Sequence, residues 1–237
     1  MVSFIVPAYN EELELLTTIA AIREAAAGHD YEIVVVDDAS TDATAELARA
    51  SGVELISIQR RQIAAARNAG ALHASGDVLF FVDADTRIDA KHVSGALNAL
   101  ANEYSGGSAR VRIAGKIPAW SRISLKIFCA LYFALKLGAG AFLFTTRRNF
   151  DTAGGFDETL FIGEEVYFSI AIRKLGRFKI LPEPVLTSGR KLRMYSAGEI
   201  LSNTLRVLLR GPSAARSREG LYIWYDGRRE KGSTSTP

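Results

Sequence analysis

Asp83 and Asp85 stand two residues apart, directly after the apolar run Val78-Leu79-Phe80-Phe81-Val82. Hydrophobic burial does not place two acids beside a buried strand, because each carboxylate has to stay solvated, paired or metal-bound. On an extended backbone, side chains at i and i+2 point the same way, so the pair makes a local negative well. A well of this kind suits a divalent cation held against a diphosphate. Taken alone, an Asp-x-Asp reads equally well as an acidic turn that ends the strand, so the context decides. Two further strand ends carry groups of comparable interest: Pro7, Ala8 and Tyr9 follow Val2 to Val6, and Asp37 and Asp38 follow Ile33 to Val36. An aromatic ring beside a carboxylate acceptor suits a nucleobase, by stacking and by accepting an imide N–H. Singly, Tyr9 reads as a packing residue and Asp37 or Asp38 as a helix cap. Their appearance at successive strand ends weakens those readings.

The elements that must position these residues follow from the apolar pattern. Val78 to Val82 is too short for an independent helix and is rich in branched and aromatic residues, as in a strand buried on both faces. Val2 to Val6, Ile33 to Val36 and Val53 to Ile58 read as further strands. Asn10 is expected to cap a helix running towards Ala27, with Glu11 and Glu12 in its first turn and Leu15, Leu16, Ile19 and Ile22 on its buried face. Residues 37 to 42 form a polar turn into a helix through Ala50, and Ile63 to Ala74 a third helix. Strands alternating with helices over short connections predict parallel strands and right-handed crossovers. In such sheets ligands bind outside the carboxyl ends of the strands. No Gly-x-Gly-x-x-Gly follows the first strand and no Walker motif occurs, so a nucleotide has to be held in another way.

The chain has 237 residues, 48% apolar and 23% charged, and a formal charge of +3. That size and composition suit one folded α/β unit: residues 1–226 are expected to form a single domain, with a nucleotide-binding half at 1–104, an acceptor-side half at 105–226 and a disordered tail at 227–237. The single cysteine, Cys129, makes no internal disulfide and has no metal-ligand neighbours. With no basic leader ahead of Val2, this predicts a cytoplasmic protein. Arg190, Lys191, Arg193, Arg206, Arg210, Arg216, Arg218, Arg228, Arg229 and Lys231 make the last third basic. Most of these read as a solvated face, and the sharper expectation is a surface that meets phosphates of a substrate or of an anionic membrane. No helix-turn-helix, zinc or RNA-binding signature accompanies the charge, so nucleic acid is not expected as a partner.

The ordered set Ile5-Val6-Pro7-Ala8-Tyr9-Asn10-Glu11, Val35-Val36-Asp37-Asp38-Ala39-Ser40-Thr41-Asp42, Ala66-Arg67-Asn68-Ala69-Gly70 and Val82-Asp83-Ala84-Asp85-Thr86 resembles the successive motifs of family 2 glycosyltransferases. Arg147-Arg148-Asn149-Phe150, Gly154-Gly155-Phe156-Asp157-Glu158 and Gly163-Glu164-Glu165 resemble that family's acceptor-side region. The resemblance implies a GT-A fold, a Rossmann-type α/β arrangement with a mostly parallel central sheet flanked by helices. It also implies inverting transfer of a sugar from a nucleotide diphosphate donor, helped by Mg²⁺ or Mn²⁺. By resemblance, Pro7, Tyr9, Glu11, Asp37, Asp38, Arg67, Asp83 and Ala84 serve the donor, and Asp85 with Asp83 the metal. An acceptor hydroxyl is a poor nucleophile and needs a carboxylate to take its proton. Glu165 and Glu164 are the candidates, at the start of a helix through Leu175. There the helix dipole alone also favours acids.

The sequence departs from the family pattern at three places. Glu164-Glu165 stands where most members have Glu-Asp, so the candidate base is one methylene longer. Tyr167 replaces a later acid, and Thr187-Ser188-Gly189-Arg190-Lys191 has no metal-binding histidine. Phosphate and water are then expected to complete the metal shell, or Arg190 and Lys191 to take part of the cation's role. The chain's histidines are His29, His73 and His92, expected on helices or a turn. Ile123 to Phe144 reads as a core helix followed by a strand, and Ala197 to Arg210 as an amphipathic helix. With Trp120, Phe128, Tyr132 and Phe133, these stretches suit a membrane surface and a lipid-linked acceptor. Two other functions are compatible with the residues: a non-catalytic nucleotide-sugar-binding module and a sugar-nucleotide nucleotidyltransferase. The latter calls for a Gly-rich, Arg- and Lys-bearing loop where this chain has Pro7-Ala8-Tyr9-Asn10.

Overall fold

Strand β1 (Val2–Ala8) is buried along its whole length and carries a parallel neighbour on each side. The structure, a computed structural model, describes residues 1–114 and 137–189 together with 194, 198, 199, 202, 215–218 and 221. From β1 the chain passes through helix α1 (Leu15–Ala25), β2 (Tyr31–Asp38), α2 (Thr44–Ala50), β3 (Glu54–Ile58), α3 (Ile63–His73) and β4 (Val78–Val82). It then forms β5 (Thr86–Arg87), α4 (Ala90–Ala101), β6 (Tyr104–Ala114), β7 (Phe142–Thr146), α5 (Arg147–Ala153), α6 (Glu164–Leu175) and β8 (Arg177–Ser188). The eight strands make one sheet in the order β3-β2-β1-β4-β7-β6-β8-β5. Pairings within β3-β2-β1-β4 and between β6 and β8 are parallel, whereas β7 runs antiparallel to both β4 and β6. The order reverses between β1 and β4, and that reversal opens a crevice at their carboxyl ends.

β4 shows why its sequence has no polar face. Phe80 and Val82 point into a core with Phe4 and Val6 of β1, Leu15, Ile19 and Ile22 of α1, and Val93 and Ala96 of α4. Leu79 and Phe81 point into the opposite core with Ile5, Val36, Ala66 of α3, Phe150 of α5 and Phe168 of α6. Side chains alternate across a strand, so a strand covered by helices on both faces has to be apolar at every position. Helix α3 lies unusually close to the sheet: a Cβ on Gly70 would sit 2.4 Å from Cγ2 of Ile5 and 2.9 Å from Cγ2 of Val36.

Several local expectations are revised. Asn10 does not cap α1, which begins at Leu15 after Glu14 and has no acid in its first turn. Asn10 instead adopts φ 53° and its Oδ1 accepts the Thr41 N–H at 2.7 Å. Glu12 accepts the Ala43 N–H at 3.1 Å, while Glu11 donates its N–H to Thr44 Oγ1 at 2.7 Å. The loop after β1 therefore directs its polar groups to the loop before α2 and to the first residue of that helix, a long-range pairing. Asp37 and Asp38 lie within β2 rather than in the turn after it. The strand expected at the end of 123–144 is β7, and residues 123–136 lie outside the described residues, as do Cys129, 227–237 and most of the basic and amphipathic 190–214 stretch. No helix among the described residues is long and apolar enough to cross a membrane.

Candidate active site

Asp83 and Asp85 do not lie on extended backbone. The chain turns directly after β4, closed by the Thr86 N–H donating to the Asp83 carbonyl at 2.9 Å. Three elements fix this turn. The buried Thr18 hydroxyl of α1 donates to the Ala84 carbonyl at 2.7 Å, and the Thr187 hydroxyl of β8 donates to Asp85 Oδ1 at 3.2 Å. From α3, Arg67 Nη2 donates to Asp83 Oδ1 at 2.9 Å. Both carboxylates still reach one space, a cavity of about 380 Å³ at the carboxyl ends of β1 and β4. That volume lies within the range of about 300–1,000 Å³ usual for small-molecule sites.

Most of the residues singled out in the sequence line this cavity: Pro7 and Ala8 at the end of β1, Tyr9 and Glu11 after it, Asp38 of β2, Arg67 of α3, Asp83 to Asp85, and Glu164 and Glu165 of α6. Asp37 does not line it; its Oδ1 accepts the Ser40 N–H at 3.3 Å, within the loop that follows β2. Adjacent strand residues face opposite sides of a sheet, so only one of the two aspartates can reach the crevice. Asp38 accepts three backbone N–H groups, from Arg60 and Arg61 at 2.7 Å each and from Gln62 at 2.6 Å. Its carboxylate thus shapes the chain entering α3 as well as facing the cavity. Tyr167, His29, His73 and His92 are not in the lining. Arg190 and Lys191 lie outside the described residues.

Arg67 is the centre of the charge arrangement. Its side chain is 1% exposed, and its guanidinium joins Asp83 at 2.9 Å, Glu164 at 2.8 Å and the Gly140 carbonyl at 3.0 Å. Burial works against its charge, but the carboxylates of Asp83, Glu164 and Glu165 outweigh that and hold its pKa above the ordinary arginine value. The fork of an arginine reaches the two carboxylates from separate nitrogens in a fixed plane, a geometry that the single ammonium of a lysine does not reproduce. Gly140 is required by this approach, since a Cβ there would meet Arg67 Nη2 at 2.9 Å.

The two glutamates differ although they are adjacent. Gly163, in a left-handed conformation at φ 76°, turns the chain into α6 and places both in its first turn. Glu164 is buried in its ion pair with Arg67. Glu165 forms no ion pair among the described residues: desolvation, reinforced by the charge of Glu164 and opposed by Arg67, pushes its carboxyl up to about 8. A carboxylate tuned towards neutral pH inside a cavity has the property asked of a general base.

For a cation, the donors present are the hard carboxylate oxygens of Asp83 and Asp85. Among the described residues, no third Asp, Glu, His or Cys joins them into a closed metal cage. That set fits Mg²⁺ or Mn²⁺ bound partly by a ligand, because Mg²⁺ commonly takes one or two carboxylates and completes its shell with phosphate and water. The sequence reading missed Arg61, Gln62, Gly140, Ala141, Phe161 and Ile162, which also line the cavity. None carries a local chemical signal, although Phe161 and Ile162 directly precede Gly163-Glu164-Glu165.

Comparison with known proteins gives the family and the fold. The chain is 31% identical over 224 residues to a dolichol-phosphate mannosyltransferase of Pyrococcus furiosus, which covers 92% of this chain and 60% of the relative. It is 33% identical over 107 residues to a validoxylamine A glucosyltransferase of Streptomyces hygroscopicus subsp. limoneus, covering 42% of this chain and 23% of that one. The chain thus spans less than two thirds of the length of these relatives. Among solved structures, a mannosyltransferase from Pyrobaculum calidifontis in complex with GDP-Man and Mn²⁺ superposes with a TM-score of 0.64 at 22% identity, covering 94% of this chain and 69% of that one. Residues 1–349 of TarS from S. aureus, in complex with UDP-GlcNAc, superpose with a TM-score of 0.61 at 20% identity, covering 86% and 64%. These likenesses show the fold, the GT-A arrangement expected from the motifs. Residues 3–162 match the family described as Glycosyl transferase family 2, a match that takes in β1 through the Asp83–Asp85 turn and ends just before Gly163, so this chain belongs to glycosyl transferase family 2.

Proposed function

We propose that the chain transfers a glycosyl group, with inversion, from a nucleotide diphosphate sugar to an acceptor hydroxyl. The observation that carries this reading is the gathering of Asp83, Asp85, Arg67 and the high-pKa Glu165 around one cavity at the sheet's switch point. Tyr9 and Asp38 lie at the β1 and β2 side and take the base. Arg67 supports Asp83 and Glu164, so both carboxylates are held in place. Asp83 and Asp85 would hold Mg²⁺ or Mn²⁺, which would supply positive charge to a bound diphosphate. Glu165 accepts the proton of the acceptor hydroxyl as that oxygen bonds to the anomeric carbon. The bond from that carbon to phosphate oxygen breaks on the opposite face, and its electron pair leaves with the nucleoside diphosphate.

A phosphate acceptor is already ionised at neutral pH and has no use for a base, whereas a hydroxyl does. The need for Glu165 therefore reports on the acceptor. Incubation with GDP- and UDP-sugars, Mn²⁺ and a panel of hydroxyl and lipid-phosphate acceptors tests the reading, with the product's anomeric configuration determined by NMR. Bound donor with no transfer to any acceptor would leave a binding module. Transfer to a lipid phosphate that survives Glu165→Gln would move the acceptor away from a hydroxyl. We further place the reaction at the cytoplasmic face of an anionic membrane, on the strength of the basic last third of the chain. Co-sedimentation with anionic vesicles that falls as salt rises is the expected result, and equal binding to neutral and anionic vesicles at low salt would overturn it.

A further inference from the structure

The backbone of Arg60, Arg61 and Gln62 is held from two sides. Its N–H groups go to Asp38, as described. Two of its carbonyls go to a residue far along the chain: Arg218 Nη2 donates to the Arg60 carbonyl at 2.6 Å and to the Arg61 carbonyl at 2.7 Å. Between these two holds, Arg61 adopts φ 50°, a left-handed conformation that an arginine keeps only where its surroundings over-determine it. The consequence lies in the cavity, where the Arg61 guanidinium sits 4.1 Å over the Tyr9 ring. The same distant segment also holds Phe161 in the cavity lining. Phe161 donates its N–H to the Ala215 carbonyl at 2.6 Å, and the Arg218 guanidinium lies 5.0 Å over the Phe161 ring. Leu221, 1% exposed, anchors the segment and closes a turn by donating its N–H to the Arg218 carbonyl at 3.0 Å.

We propose that Arg218 is a positioning residue for the nucleotide end of the site, fixing the Arg60–Gln62 backbone so that the Arg61 guanidinium stays over the Tyr9 ring as a cationic stacking surface. This rests on the donor reading given above. Arg61 then joins Tyr9 in binding a nucleoside diphosphate. Its plane accepts a base and its charge favours the phosphates, while Arg218 touches neither.

The test uses the full chain with UDP and GDP as probes in the presence of Mn²⁺. In the ligand-free protein, Arg218→Ala is expected to speed hydrogen exchange of the Arg60, Arg61 and Gln62 amides. Nucleotide affinity should fall roughly tenfold, the scale of losing a hydrogen-bonded charged group. Arg218→Lys, which keeps the charge but not the fork, should fall between. In an Arg61→Ala background, Arg218→Ala should change affinity by less than about twofold, because residues acting through one another do not add. In turnover, the donor KM should rise and the acceptor KM stay, a division that general loosening of the fold would not produce. Unchanged exchange in Arg218→Ala overturns the backbone hold. Additive effects of the two substitutions overturn the route through Arg61. A wild type that binds nucleotide while Arg218→Ala binds equally well overturns this inference alone. A wild type that binds neither nucleotide overturns the donor reading and this inference with it.

Discussion

Glu164 and Glu165 share a helical turn and a chemistry, and their partners alone separate their roles. Glu165→Gln removes basicity at constant size, so transfer to a hydroxyl should fall by about 10²- to 10⁴-fold while donor affinity holds; steady-state kinetics and calorimetry check both. Because the carboxyl of Glu165 is raised to about 8, kcat/KM should rise with pH through that region as the base becomes free. Glu164→Gln removes a charge that raises Glu165, and should move the limb to lower pH. The same shift has a stability consequence. Glu165 folds with its pKa above the ordinary glutamate value of 4.5, so it contributes stability below that pH and loses it as pH rises towards 8. The Glu165→Gln variant should therefore melt higher than wild type at pH 9 and lose that advantage at pH 5. Arg67→Met is the opposite case: it strands the Asp83 and Glu164 carboxylates, and Glu164 is buried. Breaking a buried pair in this way costs about 3–5 kcal/mol, readable by urea unfolding.

Helix α3 brings Arg67 to the site, and its reach depends on how near the helix lies to the sheet. Gly70 sits on the face against Ile5 and Val36, where an added methyl has no room. Helix propensity favours alanine over glycine by about 1 kcal/mol, but overpacking a filled core costs about 1–3 kcal/mol. Gly70→Ala is therefore expected to destabilise. Its displacement of α3 should also lengthen the Arg67 contacts and raise the donor KM, whereas a gain in melting temperature would show that the core can yield. The Asp83–Thr86 turn is held in a comparable way by Thr18 from α1 and Thr187 from β8, so its geometry belongs to three elements rather than to the four residues themselves.

For the whole molecule, the sheet order puts the β1 and β4 ends side by side and so sets a nucleotide-facing loop next to an acidic turn. The described residues close no metal cage, so metal affinity and nucleotide affinity should depend on each other. Titration calorimetry of UDP or GDP should give weaker binding after chelation. Asp85→Ala should lose the metal-dependent part and keep the rest. Equal affinity with and without chelator in the parent protein would remove the metal from the scheme.

The sequence by itself determined β1 to β4, the three helices that connect them and the acids at their ends, but not β5, β6, β8, α4 or α5. These are local patterns: the doubly apolar Val78–Val82 run reports burial on both faces, and the position of Glu164-Glu165 after Gly163 marks a helix start. It also carried the family's ordered motifs, and with them the expectation of a donor site. It could not show that Arg67 ties Asp83 to Glu164, which lies 97 residues beyond Arg67. Nor could it show that Asp38 orders Arg60 to Gln62, that Asn10 serves Thr41 rather than α1, or that β7 enters antiparallel between β4 and β6. The choice between Asp37 and Asp38, and between Glu164 and Glu165, was left to the tertiary structure for the same physical reason. A residue's facing and its electrostatic surroundings are set by groups distant in the chain, and hydrophobic periodicity records only what lies within a few residues.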